Sequence, residues 1–186
     1  TSASGDIIYR GKVPAELATP GNGGIVRFQA PPGKVEMRLT IEGDGTGTLD
    51  TEDRELVIPD LNAPEVSLST PKVWYARNAR EFTALTTGLP PAPSATREFR
   101  RTDRLLVRLD AYAPANAPTT VTAQLLNQQG TKMSDVAVIA PTDGAPTYSV
   151  DLPLASLAPG QYLLELTGSS EGQKPVTELV AFRLGS

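Results

Sequence analysis

The sequence predicts an all-β protein: an immunoglobulin/fibronectin III-like β-sandwich over 63–186, preceded over 1–62 by a smaller β module short of a full sandwich complement. Three observations carry this. The first is SLAPGQYLLEL at Ser156–Leu166, where Pro159-Gly160 forms a tight turn and Tyr162, Leu164 and Leu166 alternate with Leu163 and Glu165. A Tyr just inside a strand after such a turn is the corner of a β-sandwich, its hydroxyl bonding back to upstream backbone. The second is punctuation: Gly 16 and Pro 17 supply enough turn formers for many short strands. The third is negative, since no long amphipathic helix is patterned anywhere.

Taken in order, Asp6–Pro14 reads as a short edge strand and 15–24 as a Pro- and Gly-containing loop. Strands follow at Ile25–Ala30, Lys34–Glu42 and Arg54–Pro59, with Gly43-Asp44-Gly45 turning between the last two. A Pro-bounded polar break, Pro59-Asp60-Leu61-Asn62-Ala63-Pro64, is the expected linker. Beyond it, VSLSTP from Val66 opens a strand and Val73-Trp74-Tyr75 continues the pattern. Ala79–Thr86 reads equally as one helical turn or a strand, and Gly88–Ser94 as a Pro-rich connector. Arg104–Ala111 is the clearest strand, with Leu105, Val107 and Leu109 on one face. Thr120–Leu126, Met133–Ile139, Tyr148–Leu152, Tyr162–Leu166 and Val176–Leu184 complete about seven strands from Val66, the number a sandwich needs.

The turn and strand at Pro159–Leu166 recur weakly at Pro32–Leu39, where Pro-Gly is again followed by alternating apolar residues. Glu55-Leu56-Val57 then answers Glu178-Leu179-Val180, and Ile25, Val26 and Phe28 answer Tyr148, Val150 and Leu152. This reads as a repeat of a strand, turn, strand, hairpin, strand unit.

Composition removes several classes of function. The chain has no His and no Cys, which excludes Ser-His-Asp triads, imidazole acid–base work, thiolate chemistry and disulfides. No G-x-S-x-G elbow is present, and the scattered carboxylates nominate no glycosidase pair. A net charge of −4 argues against nucleic acid as a partner. Asp44, Asp50, Glu52 and Asp53 lack the spacing of a calcium cage and read as solvated hairpin acids. Lys34, Lys72 and Lys132 nominate no partner for an internal crosslink. No cofactor or metal is expected.

Two features remain as candidates for interaction. Five of the chain's twelve Arg lie between Arg97 and Arg108. Arg97, Arg100, Arg101 and Arg104 can be read as a fork-lined anion site. They can also be read as a polar strand edge paired with Glu98 and Asp103. Strand alternation puts Arg97 and Arg101 opposite to Arg100 and on the face of Phe99, which favours the edge. Trp74, the single Trp, is expected to pack at a module junction or under a loop, with a sugar-stacking platform as the alternative.

The pieces DIIYRGKVP, VRFQAPPGKVEMRL, ELVIPDL, LSTPKVWYARNAREF, REFRRTDRLLVR, LLNQQG and DLPLASLAPGQYLLEL, with VAFRL at the end, resemble the C-terminal part of VWFA-related proteins of acidobacterial type. The resemblance covers nearly the whole chain. It implies an exported parent in which an N-terminal von Willebrand factor A-like domain precedes β-rich regions. That domain's Asp-x-Ser-x-Ser metal motif does not occur here, so no metal site is implied. The chain begins at Thr1 without Met, signal peptide or spanning segment, and reads as a part of a longer protein, with Thr1–Ser4 an expression remnant or a linker. The expectation is a non-catalytic extracytoplasmic structural or interaction module whose partner is another protein or another domain of the parent. A sandwich binding carbohydrate or an anion is the alternative, and an enzyme stands third.

Overall fold

A computed structural model describes residues 1–2, 5–12, 26, 28–43, 47–60, 65–88, 90–142 and 145–185. The chain divides into two compact units, Thr1–Leu61 and Asn62–Ser186. Most of the expected linker, residues 61–64, lies outside the described residues, as do Asp44, Gly45 and the whole 15–24 loop.

The C-terminal unit is a β-sandwich. One sheet carries β3 (Ser67–Leu68) and β4 (Lys72–Ala76) against β6 (Arg104–Tyr112), then β10 (Thr147–Pro153) and β9 (Val138–Ile139). The other runs β5 (Glu98–Phe99), β12 (Val176–Leu184), β11 (Gly160–Ser169), β7 (Thr120–Asn127) and β8 (Lys132–Val136). β5 and β8 are the edges of this second sheet, and β5 runs parallel to β12. β3 and β4 are one edge strand broken at Pro71, which has no N–H to donate. Ser69 patches the break, its N–H donating to Asp110 O at 2.8 Å and its Oγ accepting from Asp110 N–H at 2.8 Å. The expected strand Met133–Ile139 divides at Ala137: its first part pairs with β7 and its second with β10, so the chain changes sheets there.

The core follows from period-two alternation. Leu105, Val107 and Leu109 of β6 and Val150 of β10 face Leu125, Leu164 and Leu166 of the other sheet, and all are buried. Each such side chain contributes about 1.5–3 kcal/mol of transfer free energy. Tyr162 is buried and donates its hydroxyl to Ala158 O at 2.7 Å, which is the corner that SLAPGQYLLEL predicts. Its ring stacks on Phe182 with centroids 5.6 Å apart. Gly168 occupies an inward position because a Cβ there would stand 2.6 Å from Leu68 Cδ2.

Ala79–Thr87 is a helix, α1. Asn78 caps it by accepting from Glu81 N–H at 2.9 Å, and Glu81 reaches back to Arg77 N–H at 2.8 Å. Thr83 and Thr87 return their hydroxyls to the carbonyls four residues earlier, at 2.9 Å each.

Among its described residues the N-terminal unit carries one hairpin, β1 (Gly33–Glu42) against β2 (Thr48–Ile58). Gly33 takes φ +117°, a backbone state that L side chains rarely adopt. The expected strands at Asp6–Pro14 and Ile25–Ala30 do not form over their described residues, 6–12, 26 and 28–30. Instead Tyr9 and Phe28 stack side chain to side chain with centroids 4.9 Å apart. Register also corrects the repeat. Gly33 stands opposite Ile58 as Gly160 stands opposite Leu184, so Leu56 matches Phe182 and not Leu179.

Candidate functional site

The arginine segment does not lie on one strand. Arg97 precedes β5, Arg100 and Arg101 sit in the turn between β5 and β6, and Arg104 opens β6 in the opposite sheet. The alternation expected across 97–104 is therefore lost at the turn, and Phe99 goes into the core while Arg97 and Arg101 stay exposed. Asp103 is buried and serves the turn: its Oδ2 accepts from Arg100 N–H at 2.8 Å, and Oδ1 has no donor among the described residues. Among the described residues it makes no ion pair with a guanidinium, contrary to the expected Asp103 ion pair.

Four of the five guanidinium groups from Arg97 to Arg108 have separate local tasks. Arg97 donates to Ser94 O at 2.6 Å and Thr96 O at 3.0 Å, and Arg101 donates to Ala155 O at 2.8 Å. Arg104 forks onto Asp151, with Nε to Oδ1 at 2.6 Å and Nη2 to Oδ2, and lies 4.0 Å from the centroid of Phe82. The hydrogen bond to Asp151 raises the Arg104 pKa further above its already high ordinary value. Arg108 donates to Leu85 O at 3.1 Å near the C-terminal end of α1, where a cation complements the helix dipole. Arg100 is exposed. No shared anion site is assembled from Arg97, Arg100, Arg101 and Arg104.

Trp74 is not a sugar platform. It points to the outer face of its sheet, is only 6% exposed, and donates Nε1–H to Pro91 O at 2.8 Å. With Ala76 and Leu106 it forms a second small core, closed over by Leu85 and Phe82 of α1. The module-junction or under-loop role expected of it becomes a helix-on-sheet role. The acidic hairpin also lacks a cage: Arg54 pairs with Glu52 at 2.7 Å and Arg38 with Asp53 at 2.7 Å, from opposite faces. Among the described residues no group of three or more Asp or Glu could hold a metal ion.

What remains is a shallow concavity of about 320 Å³ on the outer face of the β5–β12–β11–β7–β8 sheet. Its floor is apolar, with Leu163 beside Ala181 in register. Arg97, Arg183, Glu98 and Gln161 stand around it, and Arg183 approaches Glu98 to 3.8 Å. Only Arg97 of the five sequence candidates reaches this place; Arg183 and Leu163 carried no signal beyond strand alternation. A second depression of about 220 Å³ lies between the start of α1 and the β5–β6 turn, with Arg101 and Pro153 on its walls.

No family model matches the chain, and no curated protein matches it. Among solved structures, CopC from Methylosinus trichosporium OB3b is similar at 18% identity, covering 49% of this chain and 84% of that one, with a TM-score of 0.34. Among the described residues no helix is long and apolar enough to cross a membrane.

Proposed function

We propose that the chain is a non-catalytic extracytoplasmic interaction module, an appendage of a larger VWFA-related protein, and that it works through the outer face of its β11–β12 sheet. The observation that carries this reading is the fate of the polar candidates. Arg97, Arg101, Arg104, Arg108 and Trp74 all make internal hydrogen bonds, while an apolar floor at Leu163 and Ala181 stays open between Arg97 and Arg183. An apolar centre with a charged rim is the anatomy of a protein-binding patch. A floor of this shape accepts an aliphatic side chain, and the rim orients it.

The test titrates the other domains of the parent protein, produced separately, into the isotope-labelled chain. Shifts confined to Leu163, Ala181 and Arg183, abolished by Leu163→Glu with the melting temperature retained, support the reading. Shifts centred on the depression beside α1, or binding indifferent to Leu163→Glu, refute it. The alternative, a ligand-binding sandwich, requires a small anion or sugar to move the same resonances.

A further inference from the structure

The outer face of the β11–β12 sheet carries an order of charge as well as an apolar floor. β12 turns Leu179, Ala181 and Arg183 outward and exposed, in alternation with the buried Val180, Phe182 and Leu184. Register sets Glu165 of β11 beside Leu179, Leu163 beside Ala181 and Gln161 beside Arg183. β7 extends two of these rows, with Gln124 beside Glu165 and Leu126 beside Leu163. Successive rows lie about 6.8 Å apart, the advance of two residues along a strand.

The three rows differ in charge. In the first, Arg183 comes no nearer to Glu98 than 3.8 Å, beyond hydrogen-bond distance, and among the described residues nothing else engages its guanidinium. Arg97 stands alongside, where Arg183 N–H donates to Arg97 O at 2.8 Å, and its Nη1 is anchored on the Ser94 and Thr96 carbonyls. Two guanidinium groups against one carboxylate leave this end positive. The middle row is apolar: Leu126 is 7% exposed, Leu163 half-buried and Ala181 open. In the third, Glu165 is half-buried, and among the described residues no hydrogen bond or ion pair engages its carboxylate. Leu179 beside it is 54% exposed. Asp135 lies farther along this row, next to Gln124, and is already paired with Lys132 at 2.7 Å. A cationic end and an anionic end therefore stand about 13 Å apart, with the floor midway.

We propose that this face reads an extended segment of a partner protein in which an acidic, an aliphatic and a basic residue occupy alternate positions. The proposal rests on the sheet-face reading and adds the partner's chemistry to it. An extended chain turns every second side chain to one side at the same interval of about 6.8 Å, so its period matches the rows. The acid meets Arg183 and Arg97, whose guanidinium forks suit a carboxylate. The aliphatic side chain seats over Leu163 and Ala181. The basic residue lays its stem on Leu179 and its charge against Glu165. Opposite charges at the two ends fix which way the segment lies, and a like charge at either end is repelled.

The test titrates capped peptides into the isotope-labelled chain: Asp-Ser-Val-Ser-Lys, its reversal, and the single-sign relatives Asp-Ser-Val-Ser-Asp and Lys-Ser-Val-Ser-Lys. One direction of the mixed peptide should shift the amides of Leu163, Glu165, Ala181 and Arg183. It should bind about two- to fivefold tighter than either single-sign peptide, a margin that shrinks at about 0.5 M salt. Glu165→Lys, with the melting temperature retained, should transfer the preference to the Asp/Asp peptide. Equal affinities, a preference unmoved by Glu165→Lys, or silence of every peptide up to about 10 mM overturns the proposal. So does acetate alone producing the same shifts, or tighter binding by a helical peptide carrying the three residues at four-residue spacing. Shifts of these amides that grow with the concentration of the chain alone also overturn it, assigning the face to a second copy. Binding of a parent domain that is lost on Leu163→Glu but indifferent to Glu165→Lys and Arg183→Glu overturns this inference and leaves the sheet-face reading standing. Binding indifferent to all three variants removes both.

Discussion

Arg104 is the one member of the arginine segment whose removal should be felt. Its guanidinium ties the start of β6 to Asp151 of β10 and lies over Phe82 of α1, so Arg104→Ala loosens two elements at once. The ion pair is partly open, with side-chain exposures of 42% and 24%, so solvent screening holds it to about 1 kcal/mol even in fork geometry. The cation–ring contact adds about 0.5–1 kcal/mol. Together these predict a loss of about 1.5–2 kcal/mol, which lowers the melting temperature by roughly 4–8 °C in a unit of this size. Arg100→Ala, on an exposed side chain, should stay within about 0.5 kcal/mol of the parent. Urea unfolding followed by fluorescence reads both, because the single Trp, Trp74, lies in the helix-on-sheet core that Arg104 borders. At about 1 M salt the ion-pair share should shrink and the ring contact persist. Equal stabilities for Arg104→Ala and Arg100→Ala would refute the clamp and return the segment to a uniform polar edge.

Tyr162→Phe should cost about 1 kcal/mol in the same assay, the worth of one hydrogen bond to Ala158 O, and a neutral result would remove the corner from the list of stabilising features. Gly168→Ala should cost about 1–3 kcal/mol, because the new methyl meets Leu68; adding Leu68→Ala should recover part of it, and full tolerance would show that Leu68 moves aside freely. Asp53 has its pKa lowered chiefly by the hydrogen bond from Arg38, so whatever this pair adds to the ribbon is present above the ordinary carboxylate pKa and is lost as pH falls through the lowered value. Exchange protection of β1–β2 that rises on acidification below about pH 4, after correction for intrinsic rates, would contradict that sign.

The sandwich was legible because its strands are long, regular and one-sided: Leu105-Leu106-Val107 to Leu109 and Tyr162 to Leu166 each state a period of two, and the Pro-Gly turn fixes where the second begins. The helix was ambiguous because Thr83, Thr86 and Thr87 are β-branched, and the cap at Asn78-Glu81 tips the balance. The break at Ala137 left no signal, since changing sheets keeps the local strand pattern intact. The site was less legible than the fold. Arg97 and Arg104 are a few residues apart in sequence and go to opposite sheets, so the cluster dissolves at a turn that buries Asp103. Leu163 and Ala181 become neighbours only through the β11–β12 register, and no spacing in sequence announces that.

The two hairpins isolate what buries a strand. β1 and β11 share the Pro-Gly entry, the position of the edge partner and apolar residues at alternate positions, yet Leu39 is 42% exposed and its counterpart Leu166 is sealed. Local sequence therefore decides the turn, the pairing register and which face is apolar. It does not decide burial, which is a property of the opposing sheet. In the C-terminal unit Leu105, Val107 and Val150 supply that sheet. The β2 strand marks the difference in its own residues: Arg54 stands where Val180 is buried in the sandwich, and it turns to Glu52 at 2.7 Å.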